Sequence, residues 1–217
     1  MEYFFISAIF AYLLGSISPS VLMGKYIYKR DPRAYGSKNP GTANSVYVYG
    51  FIGGAVVLLI DIMKGFTALW IIENLFSPEV VDPFLLLLVT AFFVVLGHCL
   101  SIFLKFKGGK GFATFCGVSI YLFPKSSLIL FFVFIIILLI SKYISIATFT
   151  VVILSPLIQI YKQFQNQTYS IWSWVVLTAI SLLVIYEHRK NVIKLIQGKE
   201  LTIKTPRISE DELNTKG

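Results

Sequence analysis

The stretch KFKGGKGFAT, from Lys105 to Thr114, sets three lysines among three glycines between two long apolar segments. Glycine permits positive φ and a close approach of the backbone to a ligand, and successive amides in such a turn form a concave anion nest. A helix beginning at Phe112 would add the partial positive charge of its N-terminus. Seen alone, the pattern also fits a basic membrane-surface loop with turn glycines. The candidate phosphate ligands are Lys107, Gly108, Gly109, Lys110 and Gly111.

A second polar stretch, GSKNPGTAN, lies upstream around Pro40 and Gly41. Its turn-forming residues carry hydroxyl and amide groups that can hold phosphate or hydroxyl oxygens without adding charge. An ordinary loop followed by a helix N-cap explains the same composition. The candidate binding residues here are Ser37, Asn39, Thr42 and Asn44.

A third polar stretch, HRKNVIKLIQGKE, places His188 and Asn191 three residues apart after the last apolar segment. On a helix these two side chains share one face, whereas Arg189 and Lys190 turn aside. A histidine here could take a proton from a hydroxyl or hold a phosphate, so His188 is a candidate general base. The alternative is that His188 forms only the polar end of a helix. Glu200 is expected to play a structural part by pairing with a basic side chain.

Ionisable residues also lie within the apolar segments. Asp61 and Lys64 are three apart in IDIMKG, and charges at membrane depth are costly unless they pair or face a polar cavity. The spacing permits a salt bridge on one helix face, and a role in the site is equally compatible with it. His98 is the lesser histidine candidate. Ser145, at the start of a later apolar segment, could face the same pocket as the polar stretches.

The elements that must position these residues are apolar, since 56% of the chain is hydrophobic and 16% is aromatic. Such a composition is typical of an integral membrane protein, in which each helical span needs about 20 apolar residues. One segment, Phe112–Phe123, is short enough to be either a tilted crossing or a re-entrant segment. The predicted spans are Tyr3–Gly24, Phe51–Ile72, Phe84–Leu104, Phe112–Phe123, Ser126–Ile140, Ile144–Tyr161 and Ile171–Tyr186.

The distribution of the 19 basic residues predicts the topology. If all seven segments cross and the N-terminus is outside, every Lys and Arg except Lys64, Lys125 and Lys162 falls on the cytoplasmic face, as the positive-inside rule requires. We therefore predict an all-α membrane protein with seven transmembrane helices and a cytoplasmic C-terminus. Residues 1–201 would form one membrane domain and residues 202–217 a charged cytoplasmic tail. The three polar stretches then converge on one face.

Several partners are not expected. The positive charge is explained by membrane orientation and anionic substrates, so nucleic acid is not a predicted partner. Cys99 and Cys116 lie in or beside apolar runs and are expected to be free thiols. The sequence contains no HExxH or CxxC pattern and no acidic cluster at ligand spacing, so neither a metal nor another cofactor is predicted.

The three stretches together resemble the motifs of the bacterial acyl-phosphate:glycerol-3-phosphate acyltransferases, the PlsY family. GSKNPGTAN is similar to that family's GSxNxGxxN, and HRKNVIKLIQGKE is similar to HRxNxxRLxxGxE. GHCLSIFLKFKGGKGFAT is similar to GHxxxxFxxFKGGKGxAT. The likeness extends over nearly the whole chain, and three matched motifs make it highly specific.

The resemblance implies a multi-pass enzyme of the bacterial cytoplasmic (inner) membrane with its active site facing the cytoplasm. It implies transfer of a fatty acyl group from acyl-phosphate to the sn-1 hydroxyl of glycerol-3-phosphate, giving lysophosphatidic acid and phosphate in the first step of phospholipid synthesis. Acyl-carrier protein and coenzyme A are not implied. By motif position the resemblance assigns catalytic roles to Ser37, His188 and Asn191. It assigns substrate or phosphate binding to Ser37, Asn39, Asn44, Lys107, Gly108, Gly109, Lys110, Gly111, Ser145 and Arg189, and a structural role to the acid Glu200.

The sequence departs from the family pattern at three positions. Tyr47 stands where the family has arginine, Ser101 where it has proline, and Lys194 where it has arginine. A phenol cannot replace a guanidinium fork that holds phosphate through two hydrogen bonds. Arg33 or Lys38 could compensate, and a diverged paralogue acting on another phosphorylated metabolite is the corresponding alternative.

Two other classes of membrane protein compete with this interpretation. A transporter for a phosphorylated metabolite would also need several spans and a basic site, but such sites usually lie near the midplane within inverted repeats. A metal-dependent alcohol phosphotransferase would need several aspartates to hold Mg²⁺, and Asp61 is alone in its segment.

Overall fold

The structure, a computed structural model, describes residues 2–76, 82–166, 170–200 and 202, and every regular element among them is helical. The predicted tail, residues 202–217, lies outside the described residues except for Thr202. Short π and 3₁₀ turns occupy Gly24–Tyr28, Pro32–Ala34 and Ile102–Leu104. The α-helices are α1 (Glu2–Ser16), α2 (Pro19–Met23), α3 (Thr42–Phe76), α4 (Pro83–Cys99), α5 (Phe112–Leu122), α6 (Pro124–Ser141), α7 (Ile144–Gln165), α8 (Ile171–Glu187) and α9 (Arg189–Ile196).

Several of these helices have the length and apolar composition of membrane spans. The bent pair α8 and α9, with an angle of 52° between them, is one further candidate, and α5 is shorter at 11 residues. The described part of the chain is therefore an all-helical, multi-pass membrane protein, as predicted. The five stretches that qualify alone are Glu2–Tyr28, Thr42–Phe76, Pro83–Leu104, Pro124–Ser141 and Ile144–Gln165.

The first predicted span, Tyr3–Gly24, is not one continuous helix. α1 ends at Ser16, and α2 begins at Pro19, which has no N–H to donate and suits the first turn of a helix. Ser18 caps α2 with its side chain. The break leaves carbonyls at the end of α1 without helical partners, and Lys64 of α3 supplies hydrogen bonds to two of them.

The second predicted span begins earlier than expected. α3 starts at Thr42 rather than at Phe51, and its regular geometry is interrupted at Gly50, where φ is 79° and ψ is 178°. Only glycine adopts this backbone conformation readily. The residues before Gly50 therefore form a separate helical piece that follows the GSKNPGTAN loop.

α4 lies at the centre of the bundle and packs against α1, α3, α5 and α8. Where α1 crosses α4, Gly15 and Gly97 each face the backbone of the other helix so closely that a Cβ would overlap it. Gly65 and Gly117 do the same where α3 crosses α5. Small residues at crossings let helix backbones approach closely, which is a common packing mode in membranes.

The two ends of the bundle differ in chemistry. The end that carries Lys110 and His188, called the site end below, contains the end of α4, the start of α5 and the start of α7. The opposite end, called the far end, contains the starts of α4, α6 and α8. There Tyr121 of α5 donates a hydrogen bond to Glu73 of α3, which ties these two helices together.

Candidate active site

The Lys105–Gly111 loop folds back onto the end of α4. The amide of Gly108 donates a hydrogen bond to the carbonyl of Cys99 at 3.0 Å, and the amide of Gly109 donates to the carbonyl of His98 at 2.9 Å. Carbonyls in the last turn of a helix lack helical partners, and the loop amides satisfy these two. The N–H groups of Gly108 and Gly109 are therefore used within the protein and are not free to form an anion nest here, and phosphate binding by these two residues stays a prediction.

A larger residue at the glycine positions of this loop would clash with neighbouring atoms or strain the backbone. A Cβ on Gly108 would overlap the carbonyl oxygen of His98, and one on Gly109 would overlap Nε2 of the same histidine. Gly111 has φ of 82° and precedes α5, whose first turn receives no side-chain cap. The groups left to face a ligand are the start of α5 and the side chain of Lys110.

Lys110 joins a hydrogen-bonded network that links three segments of the chain. Its Nζ donates to Oδ1 of Asn191 at 2.6 Å. Nδ2 of Asn191 donates to Oε1 of Glu200 at 2.5 Å, and this oxygen also accepts the hydroxyl of Ser145 at 2.7 Å. Four predicted site residues, far apart in sequence, thus come together as the Lys110 network: Lys110, Ser145, Asn191 and Glu200.

The charge of Lys110 is held in a partly dehydrated setting. Burial lowers the pKa of its ammonium to about 8, because removal from water disfavours the charged form. The carboxylate of Glu200 acts in the opposite direction, while the charge of Lys194 adds to the lowering. At pH 7 the ammonium remains mostly protonated, so the network presents a cation whose attraction for an anion is weakly screened.

His188 lies at the bend between α8 and α9 and is 6% exposed. Its Nδ1 is 2.8 Å from the carbonyl oxygen of Val184, which can only accept, so Nδ1 carries the hydrogen and Nε2 the lone pair. Phe149 packs edge-on against the ring at 5.7 Å. Burial, and next the charge of Lys110, lower the pKa of this imidazole to about 4. His188 is therefore neutral at pH 7 and offers Nε2 as a hydrogen-bond acceptor.

The GSKNPGTAN loop is organised by Asn44. Its Oδ1 accepts from the amide of Ser37 at 2.9 Å, and its Nδ2 donates to the carbonyl of Pro32 at 2.7 Å. Asn44 is only 4% exposed and shapes the loop through these two hydrogen bonds, and its predicted part in substrate binding stays a prediction. Ser37 is exposed on this loop, and Oδ1 of Asn39 is buried with no hydrogen-bond partner among the described residues. Ser37 and Asn39 are not members of the Lys110 network.

Two predicted phosphate ligands lie outside that network. Lys107 is exposed on the loop. Arg189 donates to the carbonyl of Tyr186 at 2.9 Å, lies 4.1 Å from the centre of the Tyr186 ring, and approaches Glu187 at 3.7 Å. The guanidinium of Arg189 is thus engaged along the surface of its own helical segment.

A buried ionic cluster supports the loop from beneath. Oδ1 of Asp61 lies 2.8 Å from Nζ of Lys64 and 3.3 Å from Nδ1 of His98. Oγ1 of Thr114 lies 3.0 Å from Nδ1 of His98, whose Nε2 touches Gly109. Asp61 and Lys64 therefore form the salt bridge that their spacing permits. His98 lies between that pair and the loop and contacts both. The role of Thr114 was not predicted, although it stands at the end of the quoted loop.

Tyr47 occupies the position where the family pattern has arginine, and two basic residues lie in the same loop region. Tyr47 packs beside Gly36 within the same loop region. Arg33, one candidate for compensation, is paired with Asp31 at 2.7 Å. Lys38, the other, is exposed and has φ of 59°. Of the two, Lys38 is the one that is not held in an ion pair among the described residues.

The fold and the site together define a multi-pass membrane protein with a basic, partly dehydrated polar network at one end of its helical bundle. Comparison with known proteins shows to which family this membrane protein belongs. The model of the family described as glycerol-3-phosphate acyltransferase matches residues 5–198. The chain belongs to the glycerol-3-phosphate acyltransferase family, as the resemblance of its motifs predicts.

Individual relatives cover almost the whole chain. It is 36% identical to the glycerol-3-phosphate acyltransferase of Fusobacterium nucleatum over 91% of this chain and 96% of the relative. It is 37% identical to that of Finegoldia magna over 91% of this chain and 95% of the relative. A crystal structure of PlsY, an integral membrane glycerol 3-phosphate acyltransferase in its glycerol 3-phosphate form, is similar with a TM-score of 0.80 and 33% identity. That likeness covers 97% of this chain and 98% of the PlsY chain.

Proposed function

We propose that this protein transfers a fatty acyl group from acyl-phosphate to the sn-1 hydroxyl of glycerol-3-phosphate, releasing lysophosphatidic acid and inorganic phosphate. The observation that carries the proposal is the hydrogen bond from the Lys110 ammonium to Asn191, whose backbone amide in turn donates to the carbonyl of His188 at 2.8 Å. A phosphate-bearing alcohol needs a cation for its phosphate and an acceptor for its hydroxyl, and the Lys110 ammonium and the neutral imidazole of His188 supply both. The solved PlsY structures, in glycerol 3-phosphate and lysophosphatidic acid forms, support the same substrate class.

The acceptor phosphate is assigned to Lys110 and the start of α5. The partial positive charge of a helix N-terminus adds to the ammonium there. Ser37 is exposed, and its hydroxyl can donate to a phosphate oxygen, which supports a role for its loop beside the acyl-phosphate. Glu200 holds Asn191 in place by accepting a hydrogen bond from it, and Ser145 in turn donates to Glu200.

The reaction forms one bond to the acyl carbon and breaks another. The acceptor hydroxyl oxygen attacks the carbonyl carbon of the acyl-phosphate, and the bond from that carbon to the phosphate oxygen breaks with its electron pair leaving on phosphate. Nε2 of His188 accepts the hydrogen bond of the attacking hydroxyl. The departing group leaves as a phosphate trianion, which is a far stronger base than an imidazole of pKa about 4, so the proton finishes on the released phosphate. His188 then orients the hydroxyl more than it holds its proton.

Replacing His188 by alanine is expected to lower kcat about 100-fold while leaving the protein folded, because the attacking hydroxyl loses its acceptor. The measurement is lysophosphatidic acid formation from palmitoyl-phosphate and glycerol-3-phosphate, with thermal unfolding in detergent as the check on folding. Unchanged turnover of both substrates would mean that His188 is only the polar end of α8.

The acyl chain of the donor is assigned to an apolar cleft beside the loop. A cavity of about 270 Å³ opens between the break in the first span and the turn before Lys105. Ile17, Val21 and Leu22 line one side of it, and Phe103 and Leu104 line the other. A lipid tail in this cleft would bring its phosphate end toward the site end of the bundle.

The charge state of Lys110 predicts how affinity depends on pH. Bound phosphate favours the protonated ammonium and raises its pKa in the complex, so binding takes up a proton wherever the free lysine is neutral. Affinity for glycerol-3-phosphate is therefore expected to be level from pH 7 to about 8 and to fall up to tenfold per pH unit above about 8. Titration calorimetry of the purified protein from pH 7 to pH 9.5 measures this, and a level profile over the whole range would contradict it.

Replacing Gly109 by alanine is expected to lower kcat/KM about 100-fold. The new methyl group would overlap His98 and displace the loop by up to about 1 Å. Gly198→Ala is the control, since no atom of the described residues lies near a Cβ added there. The kinetic assay should show a small effect for that control. Equal losses in the two variants would mean that contact with His98 does not decide the outcome, because Gly109 does not share the positive φ of Gly198.

The topology that goes with this function has seven crossings. The N-terminus would be outside, and the site end and C-terminus would face the cytoplasm, in the cytoplasmic (inner) membrane of a bacterium. The lysines and arginine at the site end support this orientation through the positive-inside rule. Residues 1–201 would act as a single catalytic domain, with acyl-phosphate as the donor and without acyl-carrier protein or coenzyme A.

The proposed function is tested by phosphate release from palmitoyl-phosphate by the purified protein, with and without glycerol-3-phosphate and without added metal. Release that depends on the acceptor and yields lysophosphatidic acid is the expected result. Absence of turnover by a folded protein that binds either substrate would point to Tyr47 and to a different donor or acceptor.

A further inference from the structure

A separate cavity lies at the far end of the bundle, away from the Lys110 network, and its largely apolar wall carries several polar side chains. Its volume is about 430 Å³, and it is formed by the turn between α5 and α6, the end of α7 and the start of α8. Fully buried apolar side chains, among them Leu88, Val152 and Ile180, occupy the levels of α4, α7 and α8 between this cavity and the site end. The two sites are therefore separate. The polar lining includes Lys125, Ser126, Gln159, Lys162, Gln163 and Ser173.

Two of the lining side chains are buried and lack a hydrogen-bond partner. Gln159 is 4% exposed and its Nε2 donates to nothing among the described residues, and Ser173 is 1% exposed with its hydroxyl likewise unpaired. A buried donor without a partner costs about 1–3 kcal/mol in a native protein, so such groups usually serve a ligand or water. Both belong to residues that line the far-end cavity.

The charges of the cavity are of one sign among the described lining residues. Lys125 is exposed at its edge, and Nζ of Lys162 donates to Oγ of Ser126 at 2.7 Å. Asp82 lies nearby in sequence to the lining residue Phe84, but its carboxylate caps α4 by accepting from an amide of that helix. The cavity thus offers two ammonium groups and two neutral donors, which is the chemistry of an anion site.

The predicted topology makes these two lysines unusual. Basic residues are depleted on the outer face of a membrane protein, and in the predicted topology only Lys125 and Lys162 belong to that face, each at the end of its helix. Both line the same cavity. The cavity also borders α6, where apolar side chains turn outward toward lipid, including Leu128, Ile129, Phe131 and Phe132.

We propose that the far-end cavity binds a phosphate oxyanion, with the ammonium groups of Lys125 and Lys162 and the amide of Gln159 as its donors. The position beside the lipid-facing surface of α6 suits a phospholipid whose headgroup enters the cavity and whose chains lie along that helix. Free inorganic phosphate would satisfy the same donors. The site is distinct from the acceptor site and does not depend on the proposed activity.

Native mass spectrometry of the purified full-length protein tests this inference, with phosphatidylglycerol as the lipid probe. Lys125→Gln/Lys162→Gln is expected to retain about tenfold less lipid than the wild type, because both charges are lost. Lys142→Gln is the matched control, since Lys142 lies at the other end of α6. Equal lipid retention in the wild type and the double variant would overturn the proposal.

Two further arms complete the experiment. Gln159→Leu keeps both charges and removes the buried donor, so a severalfold loss of bound lipid is expected. If the double variant fails to fold, this variant decides the test, and unchanged lipid retention in it would overturn the proposal. Excess inorganic phosphate distinguishes the sources. Displacement of lipid by phosphate would show a site that recognises the oxyanion itself, whereas lipid binding that phosphate leaves intact would show that the chains along α6 contribute.

Discussion

Replacement of Lys110 by methionine is expected to lower kcat/KM for glycerol-3-phosphate by about 10²–10³-fold, the scale on which a preorganised charge-stabilising group acts in an active site. Methionine keeps most of the side-chain volume but removes the ammonium that donates to Asn191 at 2.6 Å. The phosphate would then meet only the start of α5, and Asn191 would lose one of its two anchoring contacts. Steady-state kinetics with palmitoyl-phosphate measure the loss.

Lys105→Met provides the control, because Lys105 belongs to the same loop but is exposed and carries an ordinary surface charge. The control should retain kcat/KM within about tenfold, since exposed charges act weakly through water. Similar losses in the two variants would show that the loop attracts substrate through its total charge and that the buried position of Lys110 is unimportant.

Replacement of Lys64 by methionine is expected to reduce stability by about 3–5 kcal/mol, the usual cost of removing one partner from a buried ion pair. The variant leaves Asp61, 1% exposed, without its ammonium and leaves two carbonyls at the end of α1 without donors. Thermal unfolding in detergent should show a large fall in Tm. Adding Asp61→Asn should recover part of the loss, because the uncompensated carboxylate is then removed.

An exposed ion pair in the same chain provides a comparison for the Lys64→Met variant. Arg33 and Asp31 form an ion pair of similar length, 2.7 Å, but their side chains are 41% and 46% exposed. Arg33→Met is expected to cost about 1 kcal/mol or less, since water and salt screen such pairs. If Lys64→Met and Arg33→Met lowered Tm equally, the buried cluster would not be what holds α1, α3 and α4 together.

The later spans could be predicted from apolar length with small errors. The span predicted as Ile144–Tyr161 is the helix Ile144–Gln165 in the structure. The span predicted as Ile171–Tyr186 is the helix Ile171–Glu187. Hydropathy alone did not show the break before Pro19, because its flanks remain apolar and the cause lies in one missing N–H. Local hydrogen bonding decides such boundaries.

The site was predictable as a set of residues but not as a set of roles. The predicted topology placed Lys110 and Asn191 on the same face of the membrane, and the structure joins them by a hydrogen bond. The sequence did not show that Asn44 would hydrogen-bond to the backbone, or that the amides of Gly108 and Gly109 would hydrogen-bond to α4. Which neighbour satisfies a polar group depends on tertiary contacts that no local pattern encodes.

The shortness of α5 has a consequence for the membrane itself. Eleven residues at 1.5 Å each give a helix of about 16 Å, roughly half the thickness of a typical hydrocarbon layer. α5 begins at Phe112, two residues after Lys110, so a crossing by α5 as predicted would place the loop below the headgroups, where the bilayer would have to thin or admit water. Under the proposed function, a water-soluble acceptor and a lipid-borne donor would then meet at a thinned region of the membrane, whose depth varies with bilayer thickness. Turnover should accordingly respond to the chain length of the host lipids.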